Sequence, residues 1–315
     1  MSVADVDAKP ERAASAWRDT ELFHDFRRSP LAVVSLLIVV TLVAAALGAD
    51  VVAPFNSNDP ASANVIDARL PPGSIGTMGQ RYLLGTDPQG RDMLSAIIYG
   101  LRISLLVGFG SVALAAFVGM VLGLLSGYCG GLLDALVMRI ADVQLSFPTI
   151  LIALMIDGIT RTVMGREMHD AMALSVLILA IAATYWVQYA RIIRGLVLVE
   201  RTKEYVLAAK VTGVSPFRII ASHIRPNVTG PMLVIATINL ALAIITEATL
   251  SFLGVGVPPT MPSLGMLVRI GNEYLFSGDW WISIFPGATL VLLSLSVNLF
   301  GDWLRDALNP KLSGT

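Results

Sequence analysis

Few side chains in this 315-residue sequence stand where chemistry could use them. A nucleotide motor needs a glycine-rich phosphate loop that closes on Gly-Lys-Ser or Gly-Lys-Thr, because its lysine must reach the terminal phosphates. The four lysines here are Lys9, Lys203, Lys210 and Lys311, and none follows a glycine. The chain therefore cannot be such a motor. His24, His169 and His223 lack metal-ligand spacing, no His-Glu-x-x-His motif occurs, and no Ser/His/Asp constellation stands out, so no metal site is expected. The single cysteine, Cys129, excludes an internal disulfide and any Cys-rich metal site.

The segment Arg191–Arg225 is different. It carries seven basic residues and two acidic ones, Glu200 and Glu204, for a net charge of +5. A cytoplasmic loop between membrane spans acquires that sign by the positive-inside rule, but the rule does not set the order within it. Glu204 to Thr212 has helical composition, with Tyr205, Ala208, Ala209 and Thr212 at i, i+3, i+4 and i+7, which predicts one small-residue face. Gly213 follows where a left-handed helix-ending residue belongs. After Val214, Ser215-Pro216 supply an N-cap and an N1 proline. A second short helix through Arg218 is expected to run to His223, with Pro226-Asn227 opening the next apolar stretch. Two short helices across a tight turn make a docking knob whose alanine face lets a partner approach closely.

The elements that must hold this knob are membrane spans. Hydrophobic residues make up 55% of the chain and charged residues 14%, against about 25% charged in a globular protein. Mean hydropathy is +0.72. The net charge of −1 gives no global field to draw nucleic acid. Five uncharged windows reach the ~20 residues a crossing helix needs: Leu31 to Ala49, Ile103 to Leu133, Ala171 to Ala190, Pro226 to Thr246 and Trp280 to Gly301. The first is longer than a signal-peptide core and follows Asp19, Glu21 and Asp25, so it reads as a retained helix. A sixth span, Val143 to Ile156, reaches full length only if extended back through Arg139 and Asp142, which at i,i+3 could neutralise each other. Ala248 to Val268 is also uncharged, but Pro258, Pro259 and Pro262 argue against a continuous span. The expectation is an all-α membrane bundle: a cytoplasmic segment 1–30, then six spans within 31–315. Outer loops would cover 54–100 and 251–281, and a cytoplasmic loop 191–227. With both termini inside, inner segments hold 15 Lys and Arg against six outside, which agrees with an even number of spans.

On these residues the sequence resembles a family. The run Glu204-Tyr-Val-Leu-Ala-Ala-Lys-Val-Thr-Gly213, continued through His223 to Pro226-Asn227, is similar to the EAA loop of ABC-importer permeases, although Leu207 stands at the motif's acidic position. Leu84-Gly-Thr-Asp-Pro-Gln-Gly-Arg-Asp92 resembles a signature of dipeptide, oligopeptide and nickel permeases. So do Gly127-Tyr-Cys-Gly-Gly131 with Phe147-Pro148, and Glu247-Ala-Thr-Leu-Ser-Phe-Leu-Gly-Val-Gly256. Phe26-Arg-Arg-Ser-Pro-Leu-Ala32 resembles the N-terminal region of the C-type subunit. The resemblance implies a MetI-like permease for peptides, or for nickel or another ligand, in a cell membrane. It implies a B-type second permease forming a heterodimer and two ATPase subunits that bind ATP and Mg. It further implies an extracytoplasmic substrate-binding protein and no cofactor in this chain. The coupling helix would be Tyr205, Ala208, Ala209 and Gly213 with the residues that follow.

Each remaining signature has two readings. Gly85, Asp87, Gly90, Arg91 and Asp92 are turn residues or take part in receptor docking and gating. Gly119, Gly123 and Gly127, spaced by four, allow close helix packing. Glu247, with Ser251 near it, is a gate or substrate contact, or a neutralised structural carboxyl, since a charge at depth costs about 2.5–3.5 kcal/mol. Two other functions compete with an ATP-driven importer. A secondary transporter would need more ionisable groups inside the membrane, and a scaffold without flux would leave the docking loop without a purpose.

Overall fold

The computed structural model describes residues 24–56, 64–258 and 261–307. Most of the 1–30 segment lies outside them, including Lys9, Arg12 and Arg18, as do Pro259 and Lys311. Helices dominate the described residues, and extended backbone pairs there only in two isolated bridges, Ile75 with Arg81 and Thr86 with Asp92.

Helix α1 (Pro30–Leu47) begins on a proline at its first turn and is apolar on every side, which suits lipid better than a protein core. It packs on the long central helix and the last one. A single-turn helix, α2 (Ala49–Val52), follows it. The two longest helices are α3 (Met93–Cys129, 37 residues) and α6 (Arg166–Glu200, 35 residues). At 1.5 Å per residue each exceeds the ~30 Å hydrocarbon thickness, so each is longer than a crossing requires. They form the most extensive helix pair in the chain. The glycines of α3 set their separation. A Cβ on Gly119 would lie 2.4 Å from Tyr189 Cβ and 2.7 Å from the Trp186 carbonyl oxygen. One on Gly123 would lie 2.7 Å from the Ala190 carbonyl, and one on Gly127 3.0 Å from that of Arg194. Backbone touches backbone along the whole stripe.

The sixth expected span, Val143 to Ile156 extended back through Arg139, is not continuous. Helices α4 (Gly131–Leu145) and α5 (Thr149–Met164) meet at 96°. Pro148 cannot donate a helical hydrogen bond and disfavours a helical Phe147. The amides of Ser146 and Phe147 instead close three-residue turns on Val143 and Gln144. Nor do Arg139 and Asp142 pair. Asp142 turns to Arg191 on α6. Five helices are thus long and apolar enough to cross a membrane, and the count reaches six if the bent pair is one span.

The fourth and fifth windows become α9 (Arg225–Phe252) and α11 (Trp281–Ala307), with Pro231 and Pro286 tolerated inside them. Between the two, the chain turns at Gly254 (φ +85°) and forms α10 (Leu264–Tyr274), whose first turn is capped by the Ser263 hydroxyl accepting from Met266 N. No continuous span covers 248–268, as the prolines predict.

Gly119→Val should lower the stability of the purified protein by about 1–3 kcal/mol through overpacking, read as a fall in its thermal midpoint. Gly195→Ala, on an open face of α6, serves as the control. An unchanged midpoint for Gly119→Val would show that the stripe does not set the helix separation.

Candidate functional site

The 201–227 segment is built from the end of α6 outward. A turn at Arg201–Lys203 leads into α7 (Glu204–Val211), which ends in a complete Schellman motif. Gly213 N donates to Lys210 O at 3.1 Å and Val214 N to Ala209 O at 3.0 Å, with Gly213 at φ +77°. Open space surrounds a would-be Gly213 Cβ, so backbone conformation alone demands this glycine.

Tyr205 ties α7 to both flanking spans. Its hydroxyl donates to the Glu200 carboxylate at the end of α6 and accepts from Asn227 Nδ2 on α9 at 2.8 Å. Asn227 also donates to the His223 carbonyl at 2.8 Å, and the Tyr205 and His223 rings stack with centroids 6.4 Å apart. Lys203 Nζ lies 2.8 Å from Glu200. Burial, then the Glu200 carboxylate, pushes the Tyr205 hydroxyl up to about 12. Further ties reach α3: the Lys210 ammonium sits 5.2 Å over the Tyr128 ring, and Arg201 donates to the Gly127 carbonyl at 3.0 Å. Sequence reasoning named Tyr205, His223 and Asn227 but missed Glu200. One of two acids in a basic loop was the available signal.

The expected small-residue face divides. Ala209 turns inward beside buried Val206, while Tyr205, Ala208 and Thr212 stay exposed. The outward apolar residues are Leu207, marked in the sequence only as a departure at the motif's acidic position, with Val211 one turn along α7, and Phe217. Val211 is 87% exposed and Phe217 82%. Ser215 occupies the N-cap position without a side-chain bond, and Pro216 starts α8 (Pro216–Ile219), from which Arg218 points outward. The second helix does not stop at His223. A π turn over Ile220–Ile224 carries it directly into α9. The Arg225 amide reaches back five residues to Ile220 O, and this wider turn relieves the clash that the Pro226 ring would cause in a regular helix.

At the opposite end of the bundle, Gly85 to Asp92 fold inward. Asp87 accepts from Gln89 N (2.8 Å), Arg91 N (2.9 Å) and Arg91 Nε (2.7 Å), all within one turn. Asp92 caps α3 by accepting from the Ser95 amide and hydroxyl. Gly85 and Gly90 are left-handed and leave no room for a side chain, with would-be Cβ atoms 2.5 Å from Leu70 O and 1.9 Å from Asn64 O. Asp87, Arg91 and Asp92 are buried within this chain, an arrangement that staples the loop leading into α3. A second knot escaped the sequence reading. Asp67 is buried and accepts from Thr77 N, Gln80, Tyr82 and Asn64. Glu247 is fully buried too, taking hydroxyl hydrogens from Ser104 on α3 and Ser251 on α9, each at 2.7 Å. Ser104 in turn accepts from Leu264 N on α10 at 3.2 Å. The carboxyl pins three helices together.

Comparison with known proteins agrees with this architecture. Residues 119–314 match the family described as binding-protein-dependent transport system inner membrane component, and residues 15–72 match the N-terminal transmembrane domain of oligopeptide transport permease C. The dipeptide transport system permease protein of Haemophilus influenzae is 36% identical over 93% of this chain and 94% of its own length. The oligopeptide transport system permease protein of Bacillus subtilis is 34% identical over 99% and 95%. Among solved structures, the MetNI methionine ABC transporter in inward-facing conformations shares the fold, with a TM-score of 0.55 at 21% identity, covering 69% of this chain and 98% of that one. Fold and sequence together define a multi-pass membrane permease of the ABC-importer type. The chain belongs to the family of binding-protein-dependent transport system inner membrane components, in its C-type peptide-permease branch.

Tyr205→Phe removes the hydroxyl between Glu200 and Asn227 while leaving Lys203 on Glu200. The tie is worth roughly 0.5–1.5 kcal/mol, so amide hydrogen exchange in α7 should quicken several-fold with the spans unchanged. The proton is held more tightly in the folded chain than at the ordinary 10.0. Protection of α7 should therefore be complete below pH 10 and fade as pH rises through about 12. Equal exchange in Tyr205→Phe and the parent would remove the tie.

Proposed function

We propose that this chain forms half of the translocation pathway of an ATP-driven importer of short peptides, coupled to a separate ATPase through residues 201–227. The observation that carries the reading is the tip itself. It is fixed to α3, α6 and α9 by Lys210, Glu200, Tyr205 and Asn227, yet turns Leu207, Val211 and Phe217 outward, and none of the described residues covers them. Rigid attachment behind an uncovered apolar face is what a lever needs. The names of the dipeptide and oligopeptide permeases among its relatives support the peptide cargo.

On this reading both termini and the 201–227 tip lie in the cytoplasm. A B-type permease supplies the other half of the pathway, as a heterodimer. Two ABC ATPases bind ATP and Mg and hydrolyse the nucleotide, this chain holding no cofactor and doing no hydrolysis. An extracytoplasmic binding protein delivers the cargo. Closure of the ATPase pair moves the tip, and the bundle changes state because the two arrangements bind the ATPases differently.

Phe217→Ala should leave the chain inserted but weaken its hold on the ATPases by about 1.5–3 kcal/mol if that ring is buried at the contact, roughly tenfold or more in affinity. Gly213→Asp, which forces a side chain into the left-handed turn, should abolish ATP-driven uptake at normal membrane levels. The paired measurement is ATPase pull-down with peptide uptake in proteoliposomes. Full uptake by Gly213→Asp would sink the coupling role.

A further inference from the structure

At the end of the bundle opposite the tip, a cavity of about 340 Å³ opens where four elements meet. Arg161 comes from the last turn of α5, Asp170 from the start of α6, and Arg269 and Glu273 from α10, while Gly254 lies in the turn after α9. Two guanidinium groups and two carboxylates thus share one concave surface.

Arg269 is held there by shape. A Cβ on Gly254 would sit 2.2 Å from Arg269 Nη1 and 2.7 Å from its Cζ, so the guanidinium lies across the bare backbone of the turn. Residues at i,i+4 on a helix normally pair when oppositely charged, yet Arg269 makes no ion pair with Glu273 or any other described residue. Arg161 is loosely held, 3.6 Å from Asp157. Asp157 in turn is fixed by buried His169, whose Nε2 lies 2.9 Å from its carboxylate and whose exposure is 1%. This buried pair joins α5 to α6 and so fixes the two helices that carry the lining residues Arg161 and Asp170.

A purely anionic ligand would meet Asp170 and Glu273, and a purely cationic one would meet the two arginines. A small zwitterion can use all four groups. Ligand pockets span roughly 300–1,000 Å³, which puts this one at the scale of two or three amino-acid residues. Guanidinium groups bind carboxylates more strongly than neutral donors do.

We propose that this cavity receives the charged ends of a short peptide on its way into the pathway, the carboxylate between Arg161 and Arg269 and the ammonium towards Asp170 and Glu273. The proposal rests on the importer reading and adds a peptide contact on the permease itself, apart from the binding protein.

The test uses the assembled complex of both permeases and the ATPases in lipid nanodiscs, without the binding protein, and dialanine as the probe, followed by saturation-transfer NMR. The parent complex should bind dialanine and not its N-acetylated, C-amidated form. Arg269→Gln should weaken dialanine binding about tenfold or more, the loss of one charge-assisted pair, and Arg269→Lys should restore part of it. Glu273→Gln, at an exposed position, should weaken it several-fold by an independent route. Absence of dialanine binding to the parent complex, or equal binding by Arg269→Gln, would overturn the cavity proposal. So would unchanged dialanine binding together with lost stimulation of ATP hydrolysis by the binding protein, which would make Arg269 a protein-docking residue. The importer reading is tested separately by ATP-dependent dialanine uptake with the binding protein present. Its absence overturns that reading, whereas normal uptake with a silent cavity overturns the cavity alone.

Discussion

The close approach of α3 and α6 is the constraint from which the rest of this molecule follows. In lipid, apolar side chains gain little by leaving the acyl chains for one another, so helix association depends on packing at short range. Gly119, Gly123 and Gly127 provide it by letting α3 rest against the backbone of α6 at Trp186, Ala190 and Arg194. Because both helices are longer than a crossing requires, the pair also carries structure at each end. Asp92 caps the start of α3, and the Gly127 carbonyl near its other end receives Arg201.

The few charges near the spans reinforce the same frame. Asp134 on α4 accepts from Arg194 on α6 and from Ser126 on α3, and Asp142 pairs with Arg191 one turn away. Gln144 receives the Trp186 indole hydrogen at 2.9 Å and donates to the Ala183 carbonyl. The bent pair α4–α5 is therefore pegged to α6 at polar points, and an apolar groove of about 570 Å³ lies between them, lined in part by Ile140, Phe147 and Met155. At the other boundary, Arg102 donates to the Ala46 and Leu47 carbonyls and to Asp50, holding α1 and α2 on α3. A charge that finds a partner on a neighbouring helix costs far less than one left in hydrocarbon, which is why so few charges suffice to specify the arrangement.

What the sequence reveals follows from the range of the interaction behind it. Five spans were legible because an uncharged run is a local property. So was the end of α7, where Gly213 followed by Ser215-Pro216 has one backbone solution. The bend at Pro148 was missed because counting charges measures length and says nothing of direction. Asp142 was assigned to Arg139, three residues away, when its partner is Arg191, 49 residues along the chain. The Asp67 knot and the inward turn of Ala209 were hidden for the same reason: each is settled by neighbours distant in sequence. That Leu207, Val211 and Phe217 face out is shown only by the packing of Val206 and Ala209 beneath the knob.

The way the knob is fastened constrains how force could travel from it. Lys210 and Arg201 bind it to α3, and Tyr205 binds it to α6 through Glu200 and to α9 through Asn227, so a push on the tip cannot be absorbed by bending the loop. The three helices do not respond alike. The first two are locked backbone to backbone along the glycine stripe. Helix α9 joins the knob through the π turn at Ile220–Ile224, where the hydrogen-bond spacing is wider and Pro226 contributes no N–H. Its far end is pinned by Glu247 to Ser104 of α3, just before the turn at Gly254 on which Arg269 rests. A tilt of α9 about the π turn would therefore act on the very carboxyl that joins α3, α9 and α10, and through it on the mouth of the cavity beside Gly254. On the coupling role proposed above, α9, with the π turn at one end and Glu247 at the other, is the element through which a force on the knob would reach the opposite end of the bundle.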